Sequence, residues 1–302
     1  MSLGDLLTVA GFRTGWALAR WLPERSAYAL ADRLGRLAYA RGGTDIDRLR
    51  LNYAIARPEL DTAALDDLVA EGVRTNLRYY YEAFRLPAMS AGDVDARVRV
   101  EGDGPVRAEL AQGRPVVCFL GHLGNWDLAG AWCCRALGTV VTVAEVVEPE
   151  RIYREFLDVR TAMGMRVIPL TRGVDVFAQV RRETVGPVIV PLLADRDMTG
   201  AGIDVSFLGR RARMAIGPAA LALTTGAVLH PVTIRHEPCE AGWGIVITFH
   251  DRVAVPEPGP TRRRMLAMTQ ECADVVAEVV RAHTADWHMF QRIFTDDLDE
   301  SR

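Results

Sequence analysis

The sequence predicts an α/β protein, a central, mostly parallel twisted sheet flanked by helices, with a helical layer at its N-terminus. Three observations carry this. Residues 1–90 show only helical periodicity between Gly and Pro punctuation. From residue 98 short apolar runs alternate with helical stretches, the pattern of a layered α/β fold. Pro115 to Leu120 is uninterrupted and apolar, as a parallel strand buried on both faces requires.

Taken in order, the first helix runs from Leu3 to Leu22. Asp5, Arg13 and Arg20 fall on one narrow polar stripe, opposite a broad surface holding Phe12, Trp16 and Trp21. A spanning helix needs about 20 mostly apolar residues, and two arginines inside this run argue against one. A helix lying in a membrane interface and a helix buried against the domain both remain open. No cleavage-site pattern follows, so a signal peptide is not expected. Further helices are expected over Ser26 to Ala40, ended by Gly42-Gly43, over Ile46 to Ala56, and over Ala63 to Phe84, closed by Leu86-Pro87.

Arg97 to Glu101 alternates like a strand. After the apolar run come a helix over 125–137, a strand over 140–144, a helix over 150–163, a short strand over 166–168, a helix over 174–182 and a strong strand over Val188 to Leu193. Ala215 to Thr225 is helical, Val228 to Arg235 and Gly244 to Phe249 are strands, and Arg262 to His283 is a long closing helix. With no repeat or linker, residues 1–302 read as a single domain, a helical layer over 1–90 and an α/β core over 95–295.

Bulk properties narrow the function. The net charge of −3 and the lack of a basic block exclude a nucleic-acid partner. All 36 basic residues are arginines, which fits a GC-rich genome and also makes every cation a planar fork suited to phosphate and carboxylate. The five cysteines form no C-x-x-C pair, which favours a reducing cytoplasmic setting. No cluster has metal-ligand spacing, so neither metal nor cofactor is expected. His230, His236, His283 and His288 read as structural histidines, and Trp287 and Phe290 as core anchors.

Chemistry concentrates in Gly121-His122-Leu123-Gly124-Asn125-Trp126-Asp127, which follows the buried run and opens a helix. Ligands of open α/β sheets collect at the carboxyl ends of strands, and His122 is placed there. Gly121 and Gly124 allow a tight turn and leave room for a substrate. Asp127, in the first turns of the helix, can take the imidazole N–H, fixing the tautomer and favouring the cation formed on proton uptake. Asp195, just past Val188 to Leu193, stands beside His122 if those strands are neighbours.

These blocks resemble the lysophospholipid acyltransferase superfamily, in the branch of bacterial lipid A late acyltransferases and phosphatidylinositol mannoside acyltransferases. The resemblance covers nearly the whole chain: Asn76-Leu77-Arg78-Tyr79 with Arg85-Leu86-Pro87, the Gly121 to Asp127 block, Ala194-Asp195-Arg196-Asp197, Phe207-Leu208-Gly209, Gly217-Pro218-Ala219-Ala220-Leu221-Ala222, Thr225-Gly226-Ala227 with Pro231-Val232, and Asp286-Trp287-His288-Met289-Phe290-Gln291. The D-R-D segment and the W-H-M-F-Q ending bring it closer to the mannoside branch. The resemblance implies a glycerolipid acyltransferase-like fold and transfer of an acyl group from acyl-CoA, as co-substrate, to a mannose hydroxyl of a mannosylated phosphoinositide. It also implies His122 as general base and a place at the cytoplasmic face of the cell membrane. The family's second acidic position falls on Asp195 or Asp197, and Arg160 matches an arginine near its site. Arg196, Asp197, Arg210, Arg213, Gly121 and Asn125 join Arg160 as expected substrate contacts, with Arg211 beside them. The competing readings are a lipid A precursor as acceptor and a silent lipid-binding protein on the same fold.

Overall fold

A computed structural model describes residues 11–12, 14–16, 21–146, 149–171 and 174–296. The N-terminal layer is helical as expected: α1 (Glu24–Arg41), α2 (Thr44–Ala56) and α3 (Thr62–Arg85). Asp61 caps α3 by accepting from the Ala64 backbone N–H. The expected helix over Leu3 to Leu22 lies largely outside the described residues. Phe12 and Trp16 lie inside them and pack on the protein: Phe12 meets Tyr80, Phe84 and Phe156, and Trp16 stacks on Phe84 with centroids 4.7 Å apart. Trp21 is 86% exposed.

The core is a seven-stranded sheet with helices around it. Its strands are β1 (Val98–Glu101), β2 (Val116–Leu120), β3 (Thr139–Glu145), β4 (Arg166–Leu170), β5 (Val188–Leu193), β8 (Val228–Cys239) and β9 (Gly242–Phe249), after a separate hairpin of β6 (Ile203–Phe207) and β7 (Arg210–Met214). The spatial order is β1-β9-β8-β2-β5-β3-β4. Strands β8, β2, β5, β3 and β4 run parallel, while β9 returns antiparallel to β8 and carries β1 parallel to itself. Every residue of β2 is buried, so the apolar run marks the strand at the sheet's centre.

Helices α6 (Trp126–Ala136), α7 (Glu150–Ala162), α8 (Val176–Glu183), α9 (Gly217–Thr225) and α10 (Thr261–Ala282) follow the expected positions. Two short helices, α4 (Ala91–Asp95) and α5 (Gly104–Ala111), and the β6–β7 hairpin are additions. A Ser90/Asp93 capping box opens α4. The hairpin turns through Leu208 (φ 54°) and Gly209 (φ 83°). Leucine in the left-handed region is costly; its side chain is 7% exposed, and burial offsets that cost.

Candidate active site

Register decides which side chains meet. β2 and β5 pair in parallel with Leu120 opposite Leu193, and the Ala194 N–H donates to the Leu120 carbonyl at 2.8 Å. His122 and Asp195 each stand two residues beyond that last pair, so the two strand ends deliver them to one point. The Asp195 Oδ1 lies 2.5 Å from His122 Nδ1, and Oδ2 accepts the His122 backbone N–H at 2.9 Å. Asp195 is fully buried while the His122 side chain keeps 14% exposure. Burial alone would raise the Asp195 carboxyl, but the coulombic interaction with His122 and the hydrogen bonds from His122 and Trp287 hold it below the usual carboxylate range. His122 Nε2 has no hydrogen-bond partner among the described residues.

This corrects the expected pairing of His122 with Asp127. The two share no hydrogen bond. Asp127 projects from the first turn of α6 toward α3 and α7, where it takes Arg160 Nε at 2.6 Å, Arg160 Nη2 at 3.1 Å and the Tyr79 hydroxyl at 2.9 Å. A helical side chain keeps the direction its helix gives it, and α6 aims this one away from the ring. Asp127 is 4% exposed, so the forked guanidinium neutralises an otherwise costly buried charge. Arg160, expected to contact substrate, is thus bound to Asp127.

Gly121, Gly124 and Asn125 are engaged in the protein's own packing. Gly124 has φ +60°, and a Cβ there would lie 2.7 Å from the Ile234 carbonyl oxygen of β8. A Cβ on Gly121 would crowd Asp195 Oδ2 at 3.3 Å and Val276 at 3.2 Å. Asn125 is wholly buried and caps α6, accepting from Leu128 N–H at 2.9 Å and donating to Glu82 at 2.8 Å.

The segment after α10 closes over the turn. The Gly124 N–H donates to the Asp286 carbonyl at 3.0 Å, the His288 N–H donates to the His122 carbonyl at 2.8 Å, and Leu123 bridges Trp287. Behind it lies a buried charge cluster. His236 faces Asp286 through Nδ1 at 2.7 Å and Glu82 through Nε2 at 3.2 Å. Burial opposes charging His236, but the two carboxylates raise its pKa to about 9. His288, buried and beside that cation, is pushed down to about 3 and stays neutral.

Over residues 6–296 the chain matches the model of the bacterial lipid A biosynthesis acyltransferases. It is 36% identical over 303 residues to the phosphatidylinositol mannoside acyltransferase of Mycolicibacterium smegmatis, covering 99% of this chain and 95% of that one. It is also 36% identical over 294 residues to the enzyme of that name from Mycobacterium tuberculosis, covering 96% and 90%. The chain belongs to the bacterial lipid A biosynthesis acyltransferase family. It is therefore an acyltransferase.

The remaining expected contacts of this acyltransferase are engaged in ion pairs or turns. Arg196 donates to Glu145 at 2.8 Å. Asp197 closes its own loop, accepting from Thr199 and Gly202 N–H, so of the two candidate acids it is Asp195 that reaches His122. Arg211 and Arg213 share Asp204 across the hairpin, and Arg210 pairs with Asp296. The sequence reading missed Tyr79, Glu82, His236 and Trp287 as members of this network. Tyr79 and Trp287 sit inside quoted family blocks, but Glu82 and His236 carry no local signal, because only the tertiary fold brings them together.

Proposed function

We propose that this acyltransferase moves a long-chain acyl group from acyl-CoA to a mannose hydroxyl of a phosphatidylinositol mannoside, at the cytoplasmic face of the membrane, with His122 as general base. The observation that carries the chemistry is the largely buried imidazole pinned through Nδ1 by buried Asp195, which leaves Nε2 open. The acceptor follows the names of relatives similar along nearly their whole length.

In the proposed reaction Asp195 fixes the tautomer with the proton on Nδ1. Nε2 takes the proton of the acceptor hydroxyl as its oxygen attacks the thioester carbonyl. The tetrahedral intermediate collapses, the carbon–sulfur bond breaks, and the imidazolium returns its proton to the departing CoA thiolate. No acyl-enzyme forms. Arg160, held between Asp127 and Tyr79, supplies a cation toward the donor or acceptor phosphate.

Among the described residues no helix is long and apolar enough to cross a membrane. Trp21 at 86% exposure, with Leu37 at 66% and Leu34 at 45%, gives the N-terminal layer apolar contacts for a peripheral association. Replacing these three by serine should weaken flotation with anionic liposomes; unchanged flotation would refute the surface contact.

The chemical test is mass spectrometry of products from a mixed pool of acyl-CoA, mannosylated phosphoinositide and lipid A precursor. His122→Ala should lower turnover by about 10²–10⁴-fold with the fold intact, and unchanged turnover would overturn the general-base assignment. The family description favours a second reading in which a lipid A precursor is the acceptor. An acylated lipid A precursor in that pool, with the mannoside left untouched, would select it.

A further inference from the structure

Trp287 is 0% exposed, and its indole N–H donates to Asp195 Oδ2 at 3.1 Å. The same oxygen accepts the His122 backbone N–H, while Oδ1 faces His122 Nδ1. Of these three donors, Trp287 alone comes from outside the two strand-end loops that carry the pair. The indole is itself held in place. It stacks on Tyr53 at 14° and meets Phe207 edge-on, and its carbonyl accepts the Tyr53 hydroxyl at 3.0 Å. A buried indole N–H needs a partner, and the fold gives it the carboxylate behind the imidazole.

We propose that Trp287 is a positioning residue for acyl transfer, fixing the plane of the Asp195 carboxylate so that Oδ1 meets His122 Nδ1 and Nε2 faces the substrate. This rests on His122 acting as general base. A carboxylate with donors on both oxygens cannot turn about its Cβ–Cγ bond, and the donors disperse its negative charge. Without the indole N–H the carboxylate keeps only the two His122 donors and is held less firmly in its plane. Its charge then concentrates on the imidazole and holds the imidazolium more tightly. Of the other titratable groups near the ring, Asp127 is turned to Arg160 and His288 is neutral. The shift therefore reads the Asp195 contact.

The test uses the full-length protein with Trp287→Phe and, at the same position, the isosteric benzothienyl analogue of tryptophan, which keeps the ring's shape and lacks the N–H. In both, kcat should fall about ten-fold, as the loss of one hydrogen bond to a charged group implies. KM should hold, since a wholly buried indole touches no substrate. The acid limb of the pH profile should move to higher pH. Substrate-free ¹⁵N NMR separates this claim from the acyltransfer reading. The Trp287 indole cross-peak should move in Asp195→Asn, and the His122 ring titration should shift upward in the analogue. A His122 titration and an acid limb unchanged in the analogue would overturn the proposal, even if Trp287→Phe fails to fold. Absence of acyl transfer by the unmodified protein would overturn the functional reading instead, with the NMR result standing on its own.

Discussion

At the scale of single residues, two aspartates near one histidine have separate tasks. Asp195 holds the ring, and Asp127 holds Arg160 and Tyr79. Asp195→Asn should leave a folded protein whose turnover falls on the order of 10³-fold, because an amide neither fixes the tautomer nor stabilises the cation. Asp127→Ala removes the partner of a guanidinium whose side chain is only 18% exposed. Breaking such a pair from one side costs about 3 kcal/mol, the lower end of the range since Arg160 keeps some solvent. Denaturant melts should show that loss, and Tyr79→Phe should show about 1 kcal/mol for one hydrogen bond. Turnover of Asp127→Ala falls too, through the displaced arginine, while the His122 ring titration stays where it was. A ring titration that moves with Asp127 and not with Asp195 would reverse the assignment.

At the scale of elements, the site is a consequence of strand register and one turn. The apolar runs Pro115 to Leu120 and Val188 to Leu193 were legible as buried parallel strands, and their pairing made Asp195 a neighbour of His122. The Asp127 direction was not legible, since spacing along the chain does not say which way a helix's first turn faces once its cap is set. The β6–β7 hairpin was hidden because its turn uses Leu208, a residue that no turn rule selects. The buried charges were hidden because Glu82 and His236 are 154 positions apart and meet only through packing of α3 on β8. The turn itself has little tolerance. Gly124→Ala combines a left-handed φ with a Cβ at 2.7 Å from the Ile234 carbonyl. It should cost more than the roughly 1 kcal/mol of an ordinary Gly-to-Ala strain. Asn125→Ala should cost about 1 kcal/mol for the lost cap, plus the donor to Glu82. Thermal melts of the two variants check both, and a Gly124→Ala protein as stable as the parent would show that the turn yields easily.

At the scale of the whole molecule, the helical layer, the sheet and the closing segment are joined by the Glu82–His236–Asp286 cluster, and that joint makes stability depend on pH. His236, ordinarily near 6.5, binds its proton more tightly in the fold, with a pKa of about 9. Its contribution is complete below about pH 6.5 and is lost as pH rises through 9. His288 behaves oppositely. Its folded pKa of about 3 means that its contribution is complete above about 6.5 and is lost as pH falls toward 3. Asp195 and Asp286, both held below the usual carboxyl range, add to the loss on the acid side. The melting temperature should therefore peak near pH 6.5 and fall on both sides. The alkaline side is unusually easy to assign. The chain has no lysine and its 36 basic residues stay charged, while the thiols of Cys118 and Cys134, lifted by burial to about 12 and about 11, add their own decline only from about pH 8.5 upward, where the unfolded thiols ionise. Few groups besides His236 can then carry a decline between about pH 7 and 8.5. Replacing Glu82 and Asp286 by Gln and Asn removes the carboxylates that raise the His236 pKa, so the decline should flatten in that double variant. A parent protein whose melting temperature is flat from pH 6.5 to 9.5 would mean that His236 is not the cation joining the layers.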